Sequence, residues 1–128
     1  MNAKELFKIR RHLAKTQSEL AQLFGVSTKA MQSFEQGWRK IPAHVERQVF
    51  FLLTMGRIRD GEKIPMCWDV KECENGTRER CPAWEFRCGH LCWFINGTVC
   101  RGVVEKNWVK KMKICRKCEV FQSILLTR

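Results

Sequence analysis

All eight cysteines of the chain lie between Cys67 and Cys118, and they are the residues best suited to chemistry. Thiolates are soft ligands for zinc and iron, and in a reducing compartment such a set serves metal or cluster ligation rather than disulfides. The compartment is read from the N-terminus: charges occur throughout the first fifteen residues, so no signal peptide begins here, and the chain is expected to be cytoplasmic. Structural zinc sites usually draw their ligands as two close pairs. Cys115-Arg-Lys-Cys118 is the one such pair in the sequence. Iron–sulfur clusters accept thiolates from more scattered positions, and a proline after a ligating cysteine, as in Cys81-Pro82, recurs in ferredoxin motifs. The expected cofactor is therefore an iron–sulfur cluster, of the four-iron type, with zinc as the alternative and disulfides or free thiols as a third. Eight thiols suffice for two four-ligand sites, or for one with cysteines to spare. His90, between Cys88 and Cys92, is a further ligand candidate, although a histidine in a polar turn is more often solvated.

A second constellation runs from Thr16 to Gly37 and concerns hydrogen bonding. Thr16 followed by Glu19 forms a capping box, and Leu20, Ala21, Leu23 and Phe24 make an apolar stripe at helical spacing. Gly25 stands where that helix must stop, and Ser27 caps the next one. The second helix buries Ala30, Met31 and Phe34. It leaves Thr28, Lys29, Gln32, Ser33 and Gln36 on another face, with donors, acceptors and one cation. Such a face suits the major groove of DNA.

The stretch TQSELAQLFGVS with Glu35-Gln36-Gly37 resembles the helix-turn-helix of the XRE (Cro and lambda-repressor) family, over roughly Glu5 to Leu53. The resemblance implies that the first helix lies across the DNA backbone and the second enters the groove. It implies a phosphate or base-edge contact for Gln17 and base reading by Thr28, Lys29, Gln32 and Ser33. Arg39 and Lys40, in the loop after Gly37, are placed for phosphate contacts that set register without reading sequence. It also implies a homodimer on two half-sites of double-stranded DNA.

The paired Cys67-Trp68 and Cys92-Trp93, the Cys81-Pro82-Ala83 segment, the Asn96 to Cys100 turn and the closing CxxC resemble the two-CW domain, a cysteine-rich module of bacterial regulatory proteins. That resemblance implies metal or iron–sulfur binding and points to Cys67, Cys73, Cys81, Cys92, Cys100, Cys115 and Cys118 as ligands. Cys88 is additional to the pattern.

The remaining sequence has to position these two constellations. Ala3 to Leu13 reads as an opening helix with Leu6, Ile9 and Leu13 facing a core, while Arg10, Arg11 and Lys15 project elsewhere, some of them near phosphate. Pro42 opens a further helix in which Val45, Val49, Leu52 and Leu53 repeat before Gly56 closes it. Residues 57–65 are polar, with a glycine and a closing proline, and read as a linker. The expected fold class is thus a mainly α helix-turn-helix domain at residues 1–56, then a small, irregular cysteine-rich metal-binding domain at 66–128.

Lys and Arg total 24 against 13 acids, a net charge of +11, which favours a polyanionic partner. The basic run from Lys106 to Lys117 is read as a solvated helix face at least as readily as a phosphate contact. The longest wholly apolar run, Val49 to Leu53, is far too short to span a bilayer, so no membrane partner is expected. No nucleophile–base constellation or cofactor loop is evident, so an enzyme and a small-molecule substrate are not expected. The functional expectation is a DNA-binding transcriptional regulator whose cysteine-rich half senses redox state or metal. The alternative is a metal-stabilised protein-interaction adaptor.

Overall fold

The computed structural model describes residues 1–70, 78–100 and 103–125. The chain divides into two compact units, Met1–Gly56 and Arg57–Arg128. The described residues are mainly helical, with one two-stranded antiparallel ribbon. Among them, no helix is long and apolar enough to cross a membrane.

The first unit contains α1 (Ala3–His12), α2 (Gln17–Phe24), α3 (Thr28–Gln36) and most of α4 (Ala43–Arg59). Local chemistry sets the ends of the first three. Asn2 Oδ1 accepts the Glu5 N–H at 2.8 Å to start α1. The Thr16 hydroxyl accepts the Glu19 N–H while Glu19 Oε1 accepts the Thr16 N–H, each at 3.1 Å, so the box at the start of α2 is complete. The backbone N–H of Thr16 and its hydroxyl hold the Glu19 carboxyl below the usual carboxylate range. Ser27 Oγ caps α3 through the Ala30 N–H at 3.0 Å.

Between α2 and α3 the chain turns at Gly25, whose φ of +69° lies in the left-handed region that a residue without Cβ enters cheaply. This corner lets α2 and α3 pack on each other and α3 on α1. The core comprises Leu6, Ile9, Leu20, Met31, Val45, Val49, Phe50 and Leu53, each at most 1% exposed. Leu23 departs from expectation at 55% exposure. At about 100° per residue it falls on the rim of a stripe centred on Leu20, Ala21 and Phe24, too far round to reach the core.

Gly56 does not close α4, which continues to Arg59. A glycine inside a helix is unfavourable by only about 1 kcal/mol relative to alanine, too little to stop a helix already held by Val49, Phe50 and Leu53. A Cβ on Gly56 would meet only Leu13 Cδ2, at an ordinary 3.6 Å. Gly56→Ala is therefore expected to raise stability by about 0.4–1 kcal/mol, read as a higher thermal midpoint. A lower midpoint would show that this glycine is needed for something other than helix geometry.

The second unit is built from short pieces: α5 (Cys67–Val70), α6 (Pro82–Glu85), α7 (Cys92–Ile95), α8 (Trp108–Cys115) and α9 (Glu119–Gln122). Two 3₁₀ turns, Arg78–Arg80 and Gly89–Leu91, and the strands β1 (Val99–Cys100) and β2 (Val103–Val104) complete it. The strands pair Val99 with Val104 and Cys100 with Val103. Asn107 caps α8 by accepting the Lys110 N–H at 2.9 Å. Arg57 and Glu62, both within the segment expected to be a linker, form an ion pair at 3.0 Å. Arg57 also donates to the Ile124 and Leu125 carbonyls at 2.9 and 2.7 Å.

Tryptophans organise this core. Trp93 is 1% exposed and meets Phe121 edge-on at 5.5 Å, which joins α7 to α9. Trp68 stands edge-on to Trp84 at 4.9 Å and lies over Gly89, where a Cβ would come within 2.7 Å of its ring. The two Cys-Trp pairs thus share one logic: each opens a short helix with the cysteine and anchors it with the indole.

Lys111 corrects the view of residues 106–117 as a solvated face. It is 2% exposed, and its ammonium donates to the Gly97 and Val99 carbonyls at 2.7 Å each. The four-carbon stem carries the charge through the apolar layer to these two carbonyls.

Candidate nucleic-acid interface and cysteine cluster

On α3, Thr28, Lys29 and Gln32 are exposed and Ser33 is half-buried, on the side opposite Ala30, Met31 and Phe34. Ser33 Oγ donates to the Lys29 carbonyl at 3.1 Å, so its proton is engaged and its remaining capacity is as an acceptor. Gln17, the first residue of α2, is half-buried. Arg39 and Lys40 are exposed, and the Arg39 guanidinium lies 5.6 Å from the Phe34 ring centre, steadied by the underside of α3.

Arg10, expected among the outward cations, is instead committed within the fold. Its Nε and Nη2 reach the two carboxylate oxygens of Glu35 at 2.8 and 2.9 Å, and Nη1 donates to the Lys15 carbonyl at 3.0 Å. This forked pair ties α1 to α3, which explains the acid of the Glu35-Gln36-Gly37 segment structurally. Trp38 is a further surface candidate, signalled in the sequence only by its place between Gly37 and Arg39. It is 78% exposed, and its backbone is fixed by an N–H donated to the Ser33 carbonyl at 3.0 Å.

In the second unit, the cysteines sort into distinct surroundings. Cys67 begins α5, Cys92 begins α7, Cys115 ends α8, and Cys118 precedes α9. Cys115 and Cys118 are 5% and 8% exposed and adjoin through a Cys118 N–H to Cys115 carbonyl bond of 2.9 Å. The hydrogen bond between Cys92 and Cys67 pushes the Cys92 thiol far up, helped by burial and by the nearby Cys67, Cys118 and Cys115 sulfurs. Cys81 accepts from Asn96 Nδ2 at 3.2 Å, and Asn96 Oδ1 accepts the Ala83 N–H at 3.1 Å, clamping the start of α6 to the end of α7. Cys88 donates to the Phe86 carbonyl at 3.1 Å. Cys100 lines an open cavity of about 470 Å³ with Cys118, Lys113, Lys117 and Glu119. Cys73 lies outside the described residues. His90 is half-buried, and burial lowers its pKa.

Of the seven cysteines expected as ligands, the structure therefore brings Cys67, Cys92, Cys115 and Cys118 together. Cys81 is engaged with Asn96, and Cys100 borders the same open cavity as Cys118. Among the described residues, no three Cys, His, Asp or Glu side chains are already closed into an ion-holding group. The Cys92–Cys67 contact is a hydrogen bond between thiols.

The chain matches no protein-family model, and no similar curated protein or solved structure is found.

Proposed function

We propose that the chain is a sequence-specific DNA-binding regulator of the helix-turn-helix type, with α3 as the reading helix. The observation that carries this is the exposed face of Thr28, Lys29 and Gln32 set opposite a buried face, on a helix held by a cap at each end. In this reading α2 crosses the backbone, Gln17 sits at its leading edge, and Arg39 and Lys40 meet phosphate. A homodimer would present two copies of α3 to successive major-groove faces. The cysteine-rich unit would hold an iron–sulfur cluster or zinc through thiolates and let redox state or metal supply bias the DNA-bound form.

If Lys29 and Gln32 read base edges, the double substitution Lys29→Ala/Gln32→Ala should reduce discrimination between a preferred and a scrambled duplex by about 1–3 kcal/mol. Arg39→Ala should instead weaken both duplexes alike and reduce the salt dependence. Fluorescence anisotropy with both duplexes checks this. An unchanged sequence preference in the double variant would remove those two residues from the reading role. Binding no stronger than charge alone provides would favour the adaptor alternative.

A further inference from the structure

The proposed function leaves open which cysteines act together and how many centres they form, and packing in the second unit narrows this. Cys67 and Cys92 lie on separate short helices, yet their thiols are hydrogen-bonded. Two observations put Cys118, and with it Cys115, beside them. First, α5 packs against α9, so the helix that Cys67 opens lies against the one that Cys118 precedes. Second, the Trp93–Phe121 contact joins α7 to α9 directly beyond Cys92 and Cys118. Cys67 and Cys92 are in turn held near each other by the 3₁₀ turn Gly89–Leu91, which packs on both α5 and α7, with Gly89 under the Trp68 ring. Of the three remaining described cysteines, Cys81 is engaged with Asn96 and Cys88 with a backbone carbonyl, while Cys100 borders the cavity alongside Cys118 and, unlike Cys115 and Cys118, is not among the sulfurs that act on Cys92.

We propose that Cys67, Cys92, Cys115 and Cys118 form a single four-thiolate centre for a thiophilic metal, and that Cys81, Cys88 and Cys100 stand outside it. The proposal rests on the reading of this unit as a metal-binding module and adds the ligand set and the stoichiometry. Four thiolates on a divalent cation carry a net charge of about −2, and a four-iron cluster on four thiolates is anionic as well. The surroundings suit that charge. Lys113 and Lys117 line the cavity that Cys118 borders, against one acid, Glu119. Arg116, between the two paired cysteines, lies 5.9 Å from the Phe121 ring centre. The indoles of Trp68 and Trp93 follow two of the ligands and supply the apolar wall that limits water at such a centre.

Binding releases protons. Each thiol that becomes a ligand loses one, so four leave for each ion bound, with no change in oxidation state when the metal is zinc.

The test uses the full chain, purified without oxygen and loaded either with zinc alone or with iron and sulfide. Metal analysis and the visible spectrum separate the two sources. The expected result is one zinc ion, or one four-iron cluster, per chain. Single substitutions Cys67→Ser, Cys92→Ser, Cys115→Ser and Cys118→Ser should each weaken loading by more than about tenfold, the loss that even an outer partner of a metal ligand can cause. Cys81→Ser, Cys88→Ser and Cys100→Ser should load as the native chain does. Because a ligand variant can fail to fold, alkylation of the loaded native chain is read in parallel by mass spectrometry. Cys67, Cys92, Cys115 and Cys118 should be protected, while Cys81, Cys88 and Cys100 react. Protection of Cys81 or Cys100 by metal, or full reactivity of Cys92 in loaded protein, would overturn the ligand set. A chain that takes up neither zinc nor a cluster would overturn the metal-binding reading itself, whatever its behaviour towards DNA.

Discussion

Arg10→Met should destabilise the first unit by about 3 kcal/mol, the lower end of the range for removing one partner of a buried ion pair. The substitution keeps most of the aliphatic stem but strands the Glu35 carboxylate, whose side chain is only 5% exposed. It also leaves the Lys15 carbonyl without the Arg10 donor. For a unit of this length the whole stability expected is about 3–8 kcal/mol, so the loss would be a large fraction of it. Arg10→Met/Glu35→Met removes both charges and should recover much of the loss, since replacing both partners by apolar groups is often neutral or better. Chemical denaturation of the native chain and the two variants checks this. A single variant as stable as the native chain would mean the fork is solvated in practice.

Lys111→Met is the second large effect, at about 2–4 kcal/mol in the second unit. The thioether fills most of the volume but offers no donor to the Gly97 and Val99 carbonyls, and each buried acceptor left unpaired costs about 1–3 kcal/mol. The damage should be local first. Lys111 links α8 to the turn that feeds β1, one helical turn before Cys115, so backbone amides of the β1–β2 ribbon should lose hydrogen-exchange protection ahead of those around Trp93. Unchanged protection and an unchanged unfolding midpoint would show that water satisfies those carbonyls.

Features decided within a few residues were legible in the sequence. Thr16 with Glu19, Ser27 and Gly25 each satisfy or terminate a helix through their own neighbours, so their types and spacing announce them. Features decided by distant packing were not. Nothing near Arg10 in sequence identifies Glu35 as its partner, and a lysine in a run of cations gives no sign that two carbonyls await it. Gly56 was misread because a local stop signal yields to a helix whose other residues are firmly buried. Leu23 failed for a geometric reason, since a short stripe does not reveal which of its edges reaches the core. The cysteines lie between these cases. Their chemistry is visible in the spacing, but the grouping of Cys67 and Cys92 with Cys115 and Cys118 depends on how α5, α7 and α9 pack.

Whether α3 reads DNA sequence is decided by selecting duplexes from a randomised pool with the full chain, then titrating the best duplex and its scrambled counterpart over rising salt. A preference of about 10³-fold or more for the selected duplex is expected, with both affinities falling as salt rises and the preference largely retained. Equal affinity for the two duplexes at every salt concentration would contradict it, leaving only the attraction of a +11 chain for phosphate.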